Sequence, residues 1–258
     1  MKNININIII IILIVGILIS FKLRSKKLRS KKYAYIIPAY IPLGDKFDIY
    51  FDEITKFSKN NKVITIVNPN NGPISRKENE YYFDKLEKKI KQIQDNKGKV
   101  IGYVSTDYGN RDEKKVREDI DLWKKEWKID GIFLDEGIGS NSKNYEKLID
   151  KYLRYYNYIG EQIIVTNAGY IDNSYYKFFK KNIIMIVFEN TYNEFVSPDN
   201  YLNKLNLSRG SKGILLHTTP TNIDNKKLKQ LYKKYDLEYI YLTSKNWDTI
   251  SLKLLEEL

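Results

Sequence analysis

Gly131-Ile132-Phe133-Leu134-Asp135-Glu136 joins an apolar run to two adjacent carboxylates. The run shows no apolar/polar alternation, which predicts a strand covered on both faces. Ionised groups at its tip need solvent or partners to offset lost hydration. In a parallel α/β fold this end of a strand is where active sites collect. A solvated strand end is the plainer explanation of a single Asp-Glu pair. The other strand ends argue against it.

Seven further runs read the same way: Tyr33–Ile37, Val63–Val67, Lys99–Val104, Gln162–Thr166, Ile183–Phe188, Gly213–His217 and Tyr239–Thr243. Between them the apolar period becomes helical. Val116, Ile120, Trp123 and Trp127 mark one face of a helix starting near Asp112. Phe83, Leu86, Ile90 and Ile93 do the same before the third strand, and Tyr145, Leu148, Tyr152 and Tyr155 after the fourth. Leu228, Leu231 and Tyr235 follow the seventh, and Ile250, Leu254 and Leu258 close the chain. Gly98 and Gly160 stand where helices should stop. Eight strand–helix units in the stretch from residue 33 to 258 predict a (β/α)8 TIM-like barrel, a fold of about 250 residues. A doubly wound open sheet would carry a Gly-rich phosphate loop after its first strand. Pro38-Ala39-Tyr40-Ile41-Pro42 stands there instead.

The N-terminus is of another kind. Residues 3–21 carry no charge, and Ile8 to Ile19 is apolar apart from Gly16. No small-residue cleavage site follows, so residues 1–21 read as an uncleaved signal anchor or transmembrane segment. Residues 22–32 read as a basic linker able to touch anionic lipid headgroups. The basic flank would hold the barrel in the cytoplasm by the positive-inside rule. A substrate met outside the cell would place it on the other side. The expectation adopted is an extracytoplasmic domain, anchored or secreted.

The net charge of +12 is mostly local to this segment. Lys2, Lys22, Arg24, Lys26, Lys27, Arg29, Lys31 and Lys32 account for eight charges, leaving +4 on the rest. No nucleic-acid motif accompanies them, so a nucleic-acid partner is not expected. No obligate protein partner is evident. The absence of Cys excludes disulfides and thiol chemistry, and a single histidine, His217, excludes a multi-His metal centre. No metal or cofactor is expected.

The strand ends supply polar and aromatic groups to one mouth. They are Tyr40, then Asn68-Pro69-Asn70-Asn71-Gly72-Pro73, then Gly102-Tyr103-Val104-Ser105-Thr106-Asp107-Tyr108-Gly109-Asn110-Arg111. Asp135 and Glu136 follow, then Asn167 with Gly169 and Tyr170, then Glu189 and Asn190, His217, and Thr243. Each has a structural explanation on its own: turn formation for Asn-Pro, core packing for Tyr103, and a pairing of Arg111 with Asp112 or Glu113. Gathered at one end of a barrel they form a polar cleft.

Glycoside hydrolysis fits such a cleft, since it needs two facing carboxyl groups, one protonated and one ionised. Glu189 follows a strongly apolar strand, so desolvation would keep it protonated as the general acid. Asp135 would be ionised, with Arg111, Asn68 or Asn167 as donors. Tyr40, Tyr108, Tyr170, Tyr192 and Trp247 are candidate stacking platforms for sugar rings.

The Asn68–Pro73, Gly102–Arg111, Asp130–Glu136, Asn167-Ala168-Gly169 and Phe188-Glu189 segments resemble spherulation-specific family 4, the spherulin-4-like proteins. They occur in that family's order. The resemblance implies a TIM-like barrel that hydrolyses α-1,4-linked N-acetylgalactosamine-containing polysaccharides of biofilms and cell surfaces. It also implies Asp135 as nucleophile, Glu189 as acid/base and Glu136 assisting. Tyr40, Asn68, Tyr103, Thr106, Tyr108, Arg111, Asn167 and His217 are the expected substrate-binding residues. Ile74, Ala168 and Ser244 depart from the family pattern near the mouth and bear on substrate identity. The alternative is a non-catalytic glycan-binding barrel at the cell surface.

Overall fold

The computed structural model describes residues 33–137, 163–167, 169, 171, 183–207, 210–245, 247, 250 and 252–256. Its strands are β1 Ala34–Ala39, β2 Lys62–Val67, β3 Lys99–Ser105, β4 Gly131–Asp135, β5 Ile163–Asn167, β6 Ile183–Thr191, β7 Ser211–His217 and β8 Tyr239–Leu242. Each pairs in parallel with its sequence neighbour, and Ala34↔Tyr239 and Tyr35↔Ile240 close the barrel. The expected signal anchor and basic linker lie outside the described residues, as do Gly160 and the helix expected around Tyr145–Tyr155. Among the described residues no helix is long and apolar enough to cross a membrane.

The described helices are α1 Phe47–Ser58, α2 Glu80–Asp95, α3 Glu113–Glu126, α4 Tyr192–Val196, α5 Asn225–Lys234 and α6 Lys253–Glu256. Asp112 caps α3, its carboxylate accepting from the Lys114 N–H at 2.7 Å. Val116, Ile120, Trp123 and Trp127 are all buried as their spacing requires, although Trp127 is already extended. In α5 the fully buried tyrosine is Tyr232, whereas Leu231 keeps some exposure. The last helix starts later than its apolar spacing implies. Ile250, before it, is buried together with Leu252 and Leu255, while the Leu254 side chain and Leu258 lie outside the described residues.

Register fixes which side chains face the lumen. Tyr103 lies opposite Phe133, and Ser105 opposite Asp135. Phe133 lies opposite Val165, which puts Asn167 on the same face two residues on. The other face meets the helices. A Cβ on Gly102 would sit 2.3 Å from the Trp123 ring, so only glycine lets α3 approach β3. The Trp123 indole then donates to the Tyr103 carbonyl at 2.8 Å, tying that helix to the strand.

Candidate active site

Residues with positive φ gather at the carboxyl ends of the strands. Asn71, Asp107, Tyr108, Glu136 and Thr218 have φ of 51°, 47°, 52°, 57° and 51°. The remaining described non-glycine cases, Lys97 and Asp236, follow helices α2 and α5. Side-chain-bearing residues in this region store strain, and such strain concentrates at functional sites.

At the centre of the mouth, Asn167 Nδ2 donates to Asp135 Oδ1 at 2.8 Å and also to Glu189 Oε2. The amide is oriented from behind, its Oδ1 accepting from the Gly169 N–H at 3.1 Å. Gly169 has φ +63°, which explains a glycine two residues after Asn167. Two carboxyl oxygens bonded to one nitrogen lie no more than about 6 Å apart, twice a hydrogen-bond length.

Glu189 reaches this position through an irregularity in β6. Ile186 pairs with Gly213, but Phe188 pairs with the next residue, Ile214, so Val187 is an extra residue. Strict alternation from Ile186 would turn Phe188 into the lumen and Glu189 toward the helices. The bulge reverses both. Phe188 packs outward on Phe195 and Tyr201, with ring centroids 5.3 and 5.6 Å away. Glu189 faces Asn167.

The two carboxyls are half-buried. Burial and the neighbouring Asp135 push the Glu189 carboxyl up to about 7, against the opposing Asn167 bond. Burial also raises Asp135, but the Glu136 N–H, the Tyr103 hydroxyl and Asn167 all favour its ionised form. Asp135 is therefore the member of the pair with more donors to its anion.

Tyr103 and Tyr40 complete the cluster, their rings edge to face at 5.6 Å. Burial holds both hydroxyls well above their usual range, and the charges of Asp135 and Glu189 add to it. Both remain neutral and able to donate. Glu136 turns aside toward β3, where its Oε2 accepts from the Ser105 hydroxyl and from the Asp107 N–H at 3.2 Å.

The other expected contact residues occupy varied places. Thr106 Oγ1 donates to the carbonyls of Asp135 and Glu136 at 2.8 and 2.9 Å, holding the strained turn after β4. Arg111 does not reach Asp135, nor does it pair with Asp112 or Glu113. Its guanidinium binds Asp119 at 2.7 Å and the Ser105 carbonyl at 2.9 Å. Asn68 accepts from the Gly72 N–H at 3.0 Å and shapes its own turn, while Asp119 lies against Gly72. Tyr108 is exposed on the loop after β3. His217 lies edge to face with Trp247 at 5.3 Å and bonds Thr218 at 2.9 Å. Tyr192 is buried in α4, so it offers no open ring face. Tyr170 lies outside the described residues. Among the described residues no cluster of His, Asp and Glu is arranged to hold a metal ion.

The sequence model for spherulation-specific family 4 matches residues 34–257, which is the whole barrel. The chain belongs to this family. It is 30% identical to Spherulin-4 of Physarum polycephalum over 146 residues, 56% of this chain and 39% of that protein. The match thus spans well under half the length of that relative. Among solved structures the chain is similar to Aspergillus clavatus Sph3, determined in complex with GalNAc. That likeness has a TM-score of 0.59 at 19% identity, over 83% of this chain and 89% of the other, and it bears on the fold.

Proposed function

We propose that this family 4 barrel is a glycoside hydrolase that cleaves internal bonds of an N-acetylgalactosamine- or galactosamine-containing polysaccharide with retention of configuration. The observation carrying the reading is the single Asn167 amide nitrogen that joins the Asp135 and Glu189 carboxyls. Nearest oxygens at most about 6 Å apart favour the close spacing of retaining enzymes, ~5 Å, over the wider spacing that admits a water. Membership of the family and the GalNAc bound to the similar Sph3 support the sugar class.

The chemistry follows from the two environments. Glu189, protonated up to about pH 7, donates to the glycosidic oxygen as the bond to the anomeric carbon breaks. Asp135 attacks that carbon from the opposite side, and the sugar becomes covalently attached to its carboxylate. Bond formation removes the Asp135 charge, which is one of the causes raising Glu189. Glu189, now ionised and no longer raised by that charge, accepts a proton from the water that releases the sugar. The Tyr103 hydroxyl and the Asn167 amide accompany Asp135 through both steps. Glu136 ties the turn after β4 to the end of β3 and the loop after it through Ser105 and Asp107, rather than meeting the sugar directly.

A polymeric, extracellular glycan places the barrel outside the cell, whether anchored or released. The deciding experiment incubates purified protein with α-1,4-linked galactosamine and N-acetylgalactosamine polymers and counts new reducing ends. Wild type should release them, and Asp135→Asn and Glu189→Gln should not. Binding of the polymer without any cleavage across pH 4–9 would leave the glycan-binding alternative standing.

A further inference from the structure

The aim of Glu189 depends on the Val187 bulge, and nothing local in β6 accounts for that bulge. Ile183-Ile184-Met185-Ile186-Val187-Phe188 contains neither glycine nor proline, and its residues are all buried. Such a sequence alternates as readily without an extra residue as with one. The extra residue also leaves the ladder locally, so the Val187 carbonyl needs a donor from elsewhere. That donor is the Tyr201 hydroxyl, which bonds the Val187 carbonyl oxygen. The same ring stacks on Phe188 at 5.6 Å with 20° between planes. One side chain thus holds both the bulged residue and its outward-turned neighbour.

Tyr201 is itself well anchored. It opens a short 3-10 turn, Tyr201–Lys204, capped by Asn200, whose Oδ1 accepts from the Leu202 N–H at 2.9 Å. Asn200 Nδ2 donates to the Phe195 carbonyl at 2.7 Å, tying the turn to α4. Asn203 accepts from the Tyr235 hydroxyl at 2.8 Å, tying it to the residue after α5. The turn is a fixed post outside the barrel wall, and Tyr201 reaches from it to the one irregular point of β6.

We infer that Tyr201 is a positioning residue whose hydroxyl selects the bulged register of β6 and so aims Glu189 at the substrate. The inference rests on the reading of Glu189 as the general acid. In the bulged register Glu189 meets Asp135 on β4, Asn167 on β5, Tyr103 on β3 and Tyr40 beyond β1, with Leu215 beside it on β7. Without the donor, Val187 gains by rejoining the ladder, and regular alternation swings Glu189 away from those groups.

Tyr201→Phe keeps the ring on Phe188 and removes the hydroxyl that bonds Val187. The 13C titration of the Glu189 side-chain carboxyl, assigned by its loss in Glu189→Gln, reads the aim without requiring turnover. In Tyr201→Phe that carboxyl should titrate at least about one unit lower than in wild type, toward the ordinary carboxylate range. On a galactosamine polymer its kcat should fall about tenfold or more, with KM within about twofold of wild type. Tyr235→Phe removes a hydroxyl that bonds the same turn at Asn203 without touching Val187, and should change neither quantity. A Glu189 titration in Tyr201→Phe that matches wild type overturns the inference, even if activity and melting temperature fall. A wild-type protein that cleaves no polymer would instead count against the catalytic role of Glu189, while the titration still decides whether Tyr201 aims it.

Discussion

Asn167 holds Asp135 through a 2.8 Å bond from Nδ2 to Oδ1, and the same nitrogen reaches Glu189. A neutral donor between two carboxyls lowers their mutual repulsion without adding a charge that would bind either one permanently. Its geometry is set by the backbone at Gly169 rather than by the carboxyls it serves.

Asn167→Ala should therefore cost about 100-fold or more in kcat, the usual effect of losing one oriented donor at a reacting charge. Repulsion between the freed carboxyls should raise the Glu189 pKa at the same time. Steady-state rates and the Glu189 titration measure the two effects separately. An unchanged rate would show that the bridge has no part in catalysis.

The pH dependence of kcat/KM should carry the signature of the pair. Glu189 must be protonated, so the rate should fall above about pH 7. Asp135→Asn should lose at least about 1,000-fold in activity. In that variant the neighbouring negative charge is gone, so the Glu189 carboxyl should titrate lower than in wild type. A Glu189 titration insensitive to Asp135→Asn would mean that the two carboxyls do not sense each other.

Gly102→Ala tests how the helix layer supports the site. Its Cβ would enter the Trp123 ring, 2.3 Å from the nearest carbon, and that ring holds the Tyr103 carbonyl at 2.8 Å. Overpacking of this kind costs about 1–3 kcal/mol. Denaturant unfolding should register that loss, and Gly102→Ser should be no milder.

The barrel was legible because eight apolar runs alternate with helical periods, and Gly131–Asp135 coincides with β4 residue for residue. Strand ends were less so. Tyr33–Ile37 stops short of β1 because Pro38 has no N–H, yet the strand runs on to Ala39. The convergence of Asp135, Asn167 and Glu189 followed from strand order alone. Their parity did not, since Ile183–Phe188 gives no sign of the Val187 bulge that turns Glu189 inward. Arg111 was misplaced for a related reason. Adjacent Asp112 and Glu113 are obvious in sequence, whereas Asp119 reaches it only because α3 folds back over the β3 loop.

The same burial that suits Glu189 to catalysis weakens the fold at high pH. Its folded pKa of about 7 lies above its ordinary value, so between roughly pH 4 and 7 the native state binds more protons than the unfolded chain. Stability from this group is thus fully present below that window and is lost as pH rises through it. Asp135, also raised, contributes with the same sign. Glu189→Gln removes the titration while keeping the shape of the side chain. It should leave the melting temperature near wild type at pH 4 and raise it at pH 8, by at most about 3 kcal/mol of stability. For a barrel of this size that corresponds to several degrees, roughly 2–4 °C per kcal/mol. Thermal melts of both proteins across pH 4–8 give the difference directly, and a gain equal at both ends would mean that Glu189 is not held protonated by the fold.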